Sequence, residues 1–219
     1  MKITFINAEK LEEEYSDKTN KSSLSGIWEI LKAQDGLVIC PGFGQRGIEG
    51  KILAAQYARE HDVPCFGICL GMQMMVIEFA RNVLGKKDAN STEIDDQTTV
   101  NVIDLMEEQK NVSQMGGTMR LGAYDCELQA DSKVAGIYQE TLVRERHRHR
   151  YEFNNRYLSE YKANGMVPSG LNPASDLVEI VEIPQLKWYI GTQFHPEYQS
   201  TVLHPHPLFM DFIKTAIKS

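Results

Sequence analysis

Residues 67–71 read Gly-Ile-Cys-Leu-Gly, so Cys69 has a glycine two places before it and another two places after it, between an apolar run and an amphipathic one. This is the sequence form of a nucleophile elbow. The turn from strand to helix imposes strained backbone angles on its central residue, and the glycines let neighbouring chain pass close. Such a turn exposes the sulfur and sets it at a helix N-terminus, where the dipole and the free N–H groups favour the thiolate. The same five residues also suit a core cysteine in a tight βα turn, because such loops often carry glycine. A nucleophile needs a base, and the base needs a group that orients it. Phe194-His195-Pro196-Glu197 supplies both. Pro196 disfavours helix at His195 and holds the two side chains in extended geometry, so a hydrogen bond between His195 and Glu197 is expected. Taken alone, His195 also reads as a turn histidine; with Cys69 it completes a nucleophile–base–acid set.

The elements that must position these groups follow from the hydrophobic pattern. Residues 36–40 (GLVIC) form an almost wholly apolar strand stopped by Pro41-Gly42-Phe43-Gly44, and residues 63–69 form a second. Runs apolar on both faces indicate strands covered on both sides. Helices are expected over 48–61 and over 70–84, the latter ended by Gly85. This strand–helix–strand–helix order, with right-handed crossovers, predicts an α/β fold built on an open, mostly parallel sheet flanked by helices. Residues 2–7 (KITFIN) read as a short strand and 8–17 as a polar helix start or turn with a solvated acidic run at Glu12, Glu13 and Glu14. Residues 18–26 read as a loop and 27–31 as a short amphipathic helix. In the second half, 100–104, 177–183 and 188–194 read as strands, some in antiparallel pairs, and 208–217 as a closing amphipathic helix. With no internal repeat or dividing linker, residues 1–219 are expected to form one domain.

The 219 residues carry 23 Lys and Arg against 30 Asp and Glu, a net charge of −7. That balance argues against nucleic acid and anionic membrane surfaces as partners. No apolar run approaches the roughly 20 residues needed to cross a bilayer, and the first residues lack the pattern of a signal peptide, so a cytoplasmic location is expected. Cys40, Cys65, Cys69 and Cys126 show no CxxC pairing, and disulfides are not expected; all but Cys69 are read as small buried residues. The run of Arg and His over 144–150 contains a His-x-His pair, but Arg146, Arg148 and Arg150 repel a divalent cation. Alternation instead sends half of these side chains to solvent, and no metal site is expected. His204 and His206 read as turn residues, and Met72, Met74 and Met75 as core packing apart from backbone contacts near a substrate.

Residues 67–73 (GICLGMQ) with 194–197 (FHPE) resemble the class I, triad-type glutamine amidotransferases, whose Cys, His and Glu hydrolyse glutamine to glutamate and ammonia on a flavodoxin-like fold. More specifically, residues 46–51 (RGIEGK), 90–93 (NSTE), 115–122 (MGGTMRLG), 145–152 (ERHRHRYE) and 204–209 (HPHPLF) resemble the glutaminase domains of the CTP synthase family. By position, the resemblance implies catalysis by Cys69, His195 and Glu197 and an oxyanion hole from the backbone N–H groups of Gly42 and Leu70. It implies L-glutamine contacts at Gly42, Phe43, Leu70, Gly71, Met72, Gln73, Glu93 and Arg150. The charges agree, since a carboxylate at Glu93 suits the α-ammonium of glutamine and Arg150 its α-carboxylate. Arg120, with residues 115–122, is implied to form a lid near an effector site for GTP. A synthetase domain of the CTP synthase type, in cis or in trans, is the implied partner. ATP, Mg and UTP are expected only there, because this chain has no P-loop and itself needs no cofactor. A homo-oligomer is left open. Two departures stand out: Pro41 occupies the first of two glycines usual in the family's oxyanion loop, and the strand and helix that usually precede the match to residue 2 are lacking. Glutaminase activity weaker than the family norm is expected from Pro41, and an exposed sheet edge from the missing strand. A thiol γ-glutamyl hydrolase of another kind and a catalytically idle interaction module are the competing readings.

Overall fold

The computed structural model describes residues 1–16, 26–105 and 119–217. In chain order the elements are α1 (Ala8–Ser16), α2 (Ile27–Lys32), β1 (Leu37–Ile39), α3 (Ile48–Glu60), β2 (Cys65–Ile68), α4 (Leu70–Asn82), β3 (Ala89–Ser91) and β4 (Val100–Leu105). There follow β5 (Arg120–Leu128), α5 (Lys133–Tyr138), β6 (Leu142–His149), β7 (Tyr151–Phe153), α6 (Leu158–Ala163), β8 (Val167–Leu171), β9 (Val178–Glu182), β10 (Tyr189–Thr192) and α7 (Pro207–Ile217). A seven-stranded sheet runs β1-β2-β10-β9-β8-β5-β6, and a three-stranded one runs β3-β4-β7.

The α/β class expected from the sequence is the class observed. Within the larger sheet β1 and β10 lie parallel to β2, while the ladders from β10 through β9, β8 and β5 to β6 are antiparallel. The antiparallel share thus exceeds the few strands expected, for a reason of connectivity. Parallel neighbours need a crossover such as α3 between β1 and β2, whereas the short links from β8 to β9 and from β9 to β10 permit only antiparallel pairing.

Helix α4 is buried from Leu70 to Ala80, as a helix apolar all round must be. It packs against β2 and β10 of one sheet and β3 and β4 of the other. Its one deeply buried acid, Glu78, is held by the Arg59 guanidinium at 2.7 and 2.9 Å, which satisfies a charge that would otherwise be costly to bury. The methionines 72, 74 and 75 are all fully buried in this core.

Three expectations are corrected. Residues 1–7 form no strand: Met1, Ile3 and Phe5 stand in solvent, and the segment walls an apolar cavity of about 450 Å³ against β1 and α7 instead of pairing with a ladder. Consequently, among the described residues, β1 is an edge of the larger sheet and Val38 is exposed. Cys40 is exposed, because it lies just past the end of β1, while Cys65 and Cys126 are buried as expected. His206 is no simple turn residue: it is buried, and its Nε2 lies 2.9 Å from Glu145 Oε1. The loop read over 18–26 falls outside the described residues except for its last position.

Candidate active site

Cys69 is the residue between β2 and α4, and its φ of 52° and ψ of −105° place it in a conformation that side chains rarely adopt. The turn is held open by its glycines. A Cβ on Gly67 would meet the Met75 sulfur and sit 2.8 Å from the backbone of Gly71, and one on Gly71 would strike the Ile39 carbonyl oxygen. The strain is anchored from the neighbouring strand, since Cys69 N–H donates to Thr192 O at 2.7 Å.

That bond also fixes what stands opposite. Ile68 and Thr192 are register partners in the parallel pair β2 and β10, so the residues following each strand leave the sheet side by side at its C-terminal edge, where α/β folds place their ligands. His195 and Glu197 arrive by this route. His195 N–H donates to Arg146 O at 2.8 Å, and the short helical turn Pro196–Gln199 is pinned to β6 by Gln199 Nε2, which donates to Arg144 O and to Glu145 Oε2. His195 Nδ1 lies 2.6 Å from Glu197 Oε1. The proton therefore belongs on Nδ1, and Nε2 carries the basic lone pair. Tyr198 stacks on the imidazole with ring centres 4.8 Å apart. Nε2 itself is buried and has no hydrogen-bond partner among the described residues.

The turn does not expose the sulfur or favour its thiolate as the sequence suggested: Cys69 is buried at the foot of α4, and burial pushes its thiol up to about 12; the Leu70 N–H opposes this, while Glu197, Glu93 and Glu152 add to it. The other residues named from the sequence are placed as follows. Leu70 opens α4, and Gly42 comes so close that a Cβ on it would touch Leu70 Cδ2 at 3.3 Å, so residues 41–44 lie against the start of α4. Phe43 is exposed. Gly71 and Met72 are buried in the first turn of α4, so they offer a ligand backbone and not side chain. Glu93, just past β3, accepts from the Gly44 N–H and feels the charge of Arg150, although burial raises its carboxyl. Arg150 is half-buried between β6 and β7. The oxyanion loop, Glu93 and Arg150 thus form one neighbourhood.

Two of the named side chains have partners inside the protein, and one of them, Arg120, is placed differently from what the sequence suggested. Gln73 is buried, and its amide nitrogen donates to Tyr151 O at 3.0 Å and to Gln193 Oε1 at 3.2 Å. Arg120 is not at the surface as a lid residue would be. It starts β5 in the interior, with Nη2 donating to Glu179 Oε1 at 2.6 Å and Nη1 lying 3.5 Å from Glu152 Oε1; residues 115–118 of that expected lid lie outside the described residues. Along β6 burial alternates, with Glu145, His147 and His149 inside and Arg144, Arg146 and Arg148 outside, so half of the basic run is solvated as expected.

Sequence reasoning passed over two residues. Lys51 Nζ donates to Cys40 O at 3.1 Å, lies within 3.3 Å of where a Gly42 Cβ would be and feels Cys69 electrostatically, so it places a cation behind the oxyanion loop. Its only signal was a lysine one turn into a helix that follows the loop. The other is Gln193, which carries no chemistry that sequence alone would single out.

A strained cysteine at a strand–helix turn, with a His and a Glu following the adjacent strand, is the arrangement expected of a triad-type thiol amidohydrolase. The chain belongs to the glutamine amidotransferase class-I family, whose model matches residues 7–215. Within it the sequence sides with the CTP synthases. It is 62% identical over 217 residues to the CTP synthase of Bacteroides fragilis, which covers 99% of this chain, and 59% identical over 219 residues to that of Bacteroides thetaiotaomicron. The solved glutaminase domain of Trypanosoma brucei CTPS, with bound acivicin, matches with a TM-score of 0.88 at 38% identity, covering 100% of this chain and 81% of that one. The chain spans 39% of the length of the Bacteroides relatives.

Proposed function

We propose that this chain hydrolyses the side-chain amide of L-glutamine with Cys69 as nucleophile, His195 as proton carrier and Glu197 as its orienting acid. The observation that carries the reading is the strained Cys69 turn bonded to the strand that delivers a Glu197-anchored His195. His195 Nε2 takes the thiol proton as Sγ attacks the amide carbon, and the oxyanion is received by the N–H groups of Gly42 and Leu70. The C–N bond then breaks, and the proton on Nε2 leaves with the nitrogen as ammonia. Water attacks the glutamyl thioester, returns a proton through His195 to sulfur and releases glutamate, so the reaction balances with no cofactor. Glu93 and Arg150 hold the α-ammonium and α-carboxylate.

The ammonia would serve a synthetase domain of the CTP synthase type that aminates UTP with ATP and Mg, in cis or in trans, in the cytoplasm. This partner, and GTP as an effector, rest on the relatives' names and on the resemblance. The opposed charges of Glu93 and Arg150 fit the free α-ammonium and α-carboxylate that glutamine and γ-glutamyl peptides share, so the leaving group, ammonia or a larger amine, separates the two readings. The test compares ammonia release from glutamine with amine release from γ-glutamyl dipeptides. Glutamine is expected to be the better substrate in kcat/KM, and equal or faster turnover of the dipeptides would assign the site to a γ-glutamyl hydrolase.

A further inference from the structure

Gln193 has no part in the reaction as written above, yet it is fully buried and lies against the nucleophile: its Nε2 stands 3.8 Å from Cys69 Sγ. Burying an amide without partners is costly, and the partners found here fix which way this one points. The Tyr151 carbonyl can only accept, so the Gln73 amide must turn its NH₂ group toward it, at 3.0 Å. The same NH₂ group then donates its second hydrogen to Gln193 Oε1 at 3.2 Å. With its oxygen so engaged, Gln193 can present only its NH₂ to the sulfur. A backbone carbonyl thus sets, through two side-chain amides, the polarity of the group that faces Cys69. Gln193 N–H is itself bound to Glu179 O at 2.8 Å, so the residue is fixed at both ends.

We propose that Gln193 is a positioning residue for the reaction proposed above: its amide, oriented through Gln73 by the Tyr151 carbonyl, holds the Cys69 sulfur and donates to it as a thiolate. The inference rests on Cys69 being the nucleophile. The donor acts where burial and the nearby carboxylates Glu197 and Glu93 oppose a charge on the sulfur, and it adds to the Leu70 N–H and the Lys51 ammonium, which favour one. A donor to sulfur that is already in place spares reorganisation when the proton moves to His195. Gln73 thereby acquires a role at a distance, as the group that keeps the Gln193 amide from turning its oxygen toward a developing negative charge.

The test needs no glutamine. Alkylation of the full chain by iodoacetamide is followed across pH at Cys69 itself, by fragment-ion mass spectrometry that separates it from the exposed Cys40. Q193L keeps the bulk and removes the donor; its alkylation is expected to be roughly tenfold slower than wild type at each pH below the thiol's ionisation, the equivalent of moving the midpoint up by about one pH unit. Q193E, which faces the sulfur with a carboxylate, is expected to move it further. Q73L leaves Gln193 in place but frees its amide to turn, and is expected to shift the midpoint in the same direction. A purely packing role for Gln193 would leave Q73L at the wild-type midpoint. Should Q193L fail to fold, as shown by loss of a cooperative thermal transition, the Q73L profile decides. Midpoints for the folded variants that coincide with wild type overturn the inference. Because the alkylation profile is independent of substrate, its failure is separate from that of the glutaminase reading, which would show as ammonia release unaffected by Cys69→Ala.

Discussion

At the scale of single residues, the site depends on groups whose chemistry is set by their immediate neighbours. Pro41 is one that the fold has not neutralised. It precedes Gly42, whose N–H would have to turn toward the oxyanion in the proposed reaction, and a proline fixes its own φ and restrains the residue before it. Lys51 also grips the carbonyl of Cys40, so the chain is held just before the peptide that would have to swing. Pro41→Gly is therefore expected to raise kcat for glutamine by roughly threefold to tenfold, a change of about 0.7–1.4 kcal/mol in the barrier, with ammonia release as the measurement. Unchanged or lower turnover would show that the loop is already aimed. The strained Cys69 turn and the His195–Glu197 pair were legible in the sequence because each is local: Cys69 by the glycines around it, His195 and Glu197 by their spacing across a proline. Gln193 and Lys51 were not, since nothing in a chain tells which amide or ammonium will fold back against a sulfur or a loop.

At the scale of elements, the strands do more than deliver the catalytic groups. Arg120 of β5, His147 and His149 of β6, Glu152 of β7 and Glu179 of β9 meet in the interior, and His147 Nδ1 lies 2.8 Å from His149 Nε2. The cluster joins the two sheets beneath the site. Burial holds both histidines neutral, at about 2 for His147 and about 3 for His149, and pushes Glu152 up to about 8, well above its ordinary value of 4.5. The folded chain thus holds the Glu152 proton more tightly than the unfolded one does. The stability this contributes is present in full below pH 4.5 and is lost as pH rises through 8. Glu152→Gln removes the titration, so the stability advantage of wild type over E152Q is expected to shrink across that window by at most about 1.4 kcal/mol per pH unit. Denaturant midpoints measured at several pH values would check this, and parallel curves would show that Glu152 is ionised in the folded chain. The strands β1 and β2 and the helices α3 and α4 were legible from apolar runs and helical spacing. The segment 2–7 was misread because alternation signals a strand only where a neighbour offers it a ladder. The interior pairing of Arg120 and of His206 was hidden because a charged residue on a polar stretch gives no sign of the carboxylate waiting across the core.

At the scale of the whole molecule, the described residues contain the groups of the proposed triad on an α/β frame whose edge strand, β1, stands open beside an apolar cavity. Among the described residues no helix is long and apolar enough to cross a membrane, and no group of three or more His, Cys, Asp and Glu could hold a metal ion. The proposed catalytic groups lie at the C-terminal edge of β2 and β10, and the chain's similarity to CTP synthases runs over nearly its full length while spanning 39% of theirs. The central claim is that this part alone carries the glutamine-splitting centre. Ammonia release from L-glutamine by the purified chain, wild type against Cys69→Ala across pH, tests it most directly. The account predicts release by wild type and a loss of at least about a thousandfold in the variant; equal rates for the two would contradict it.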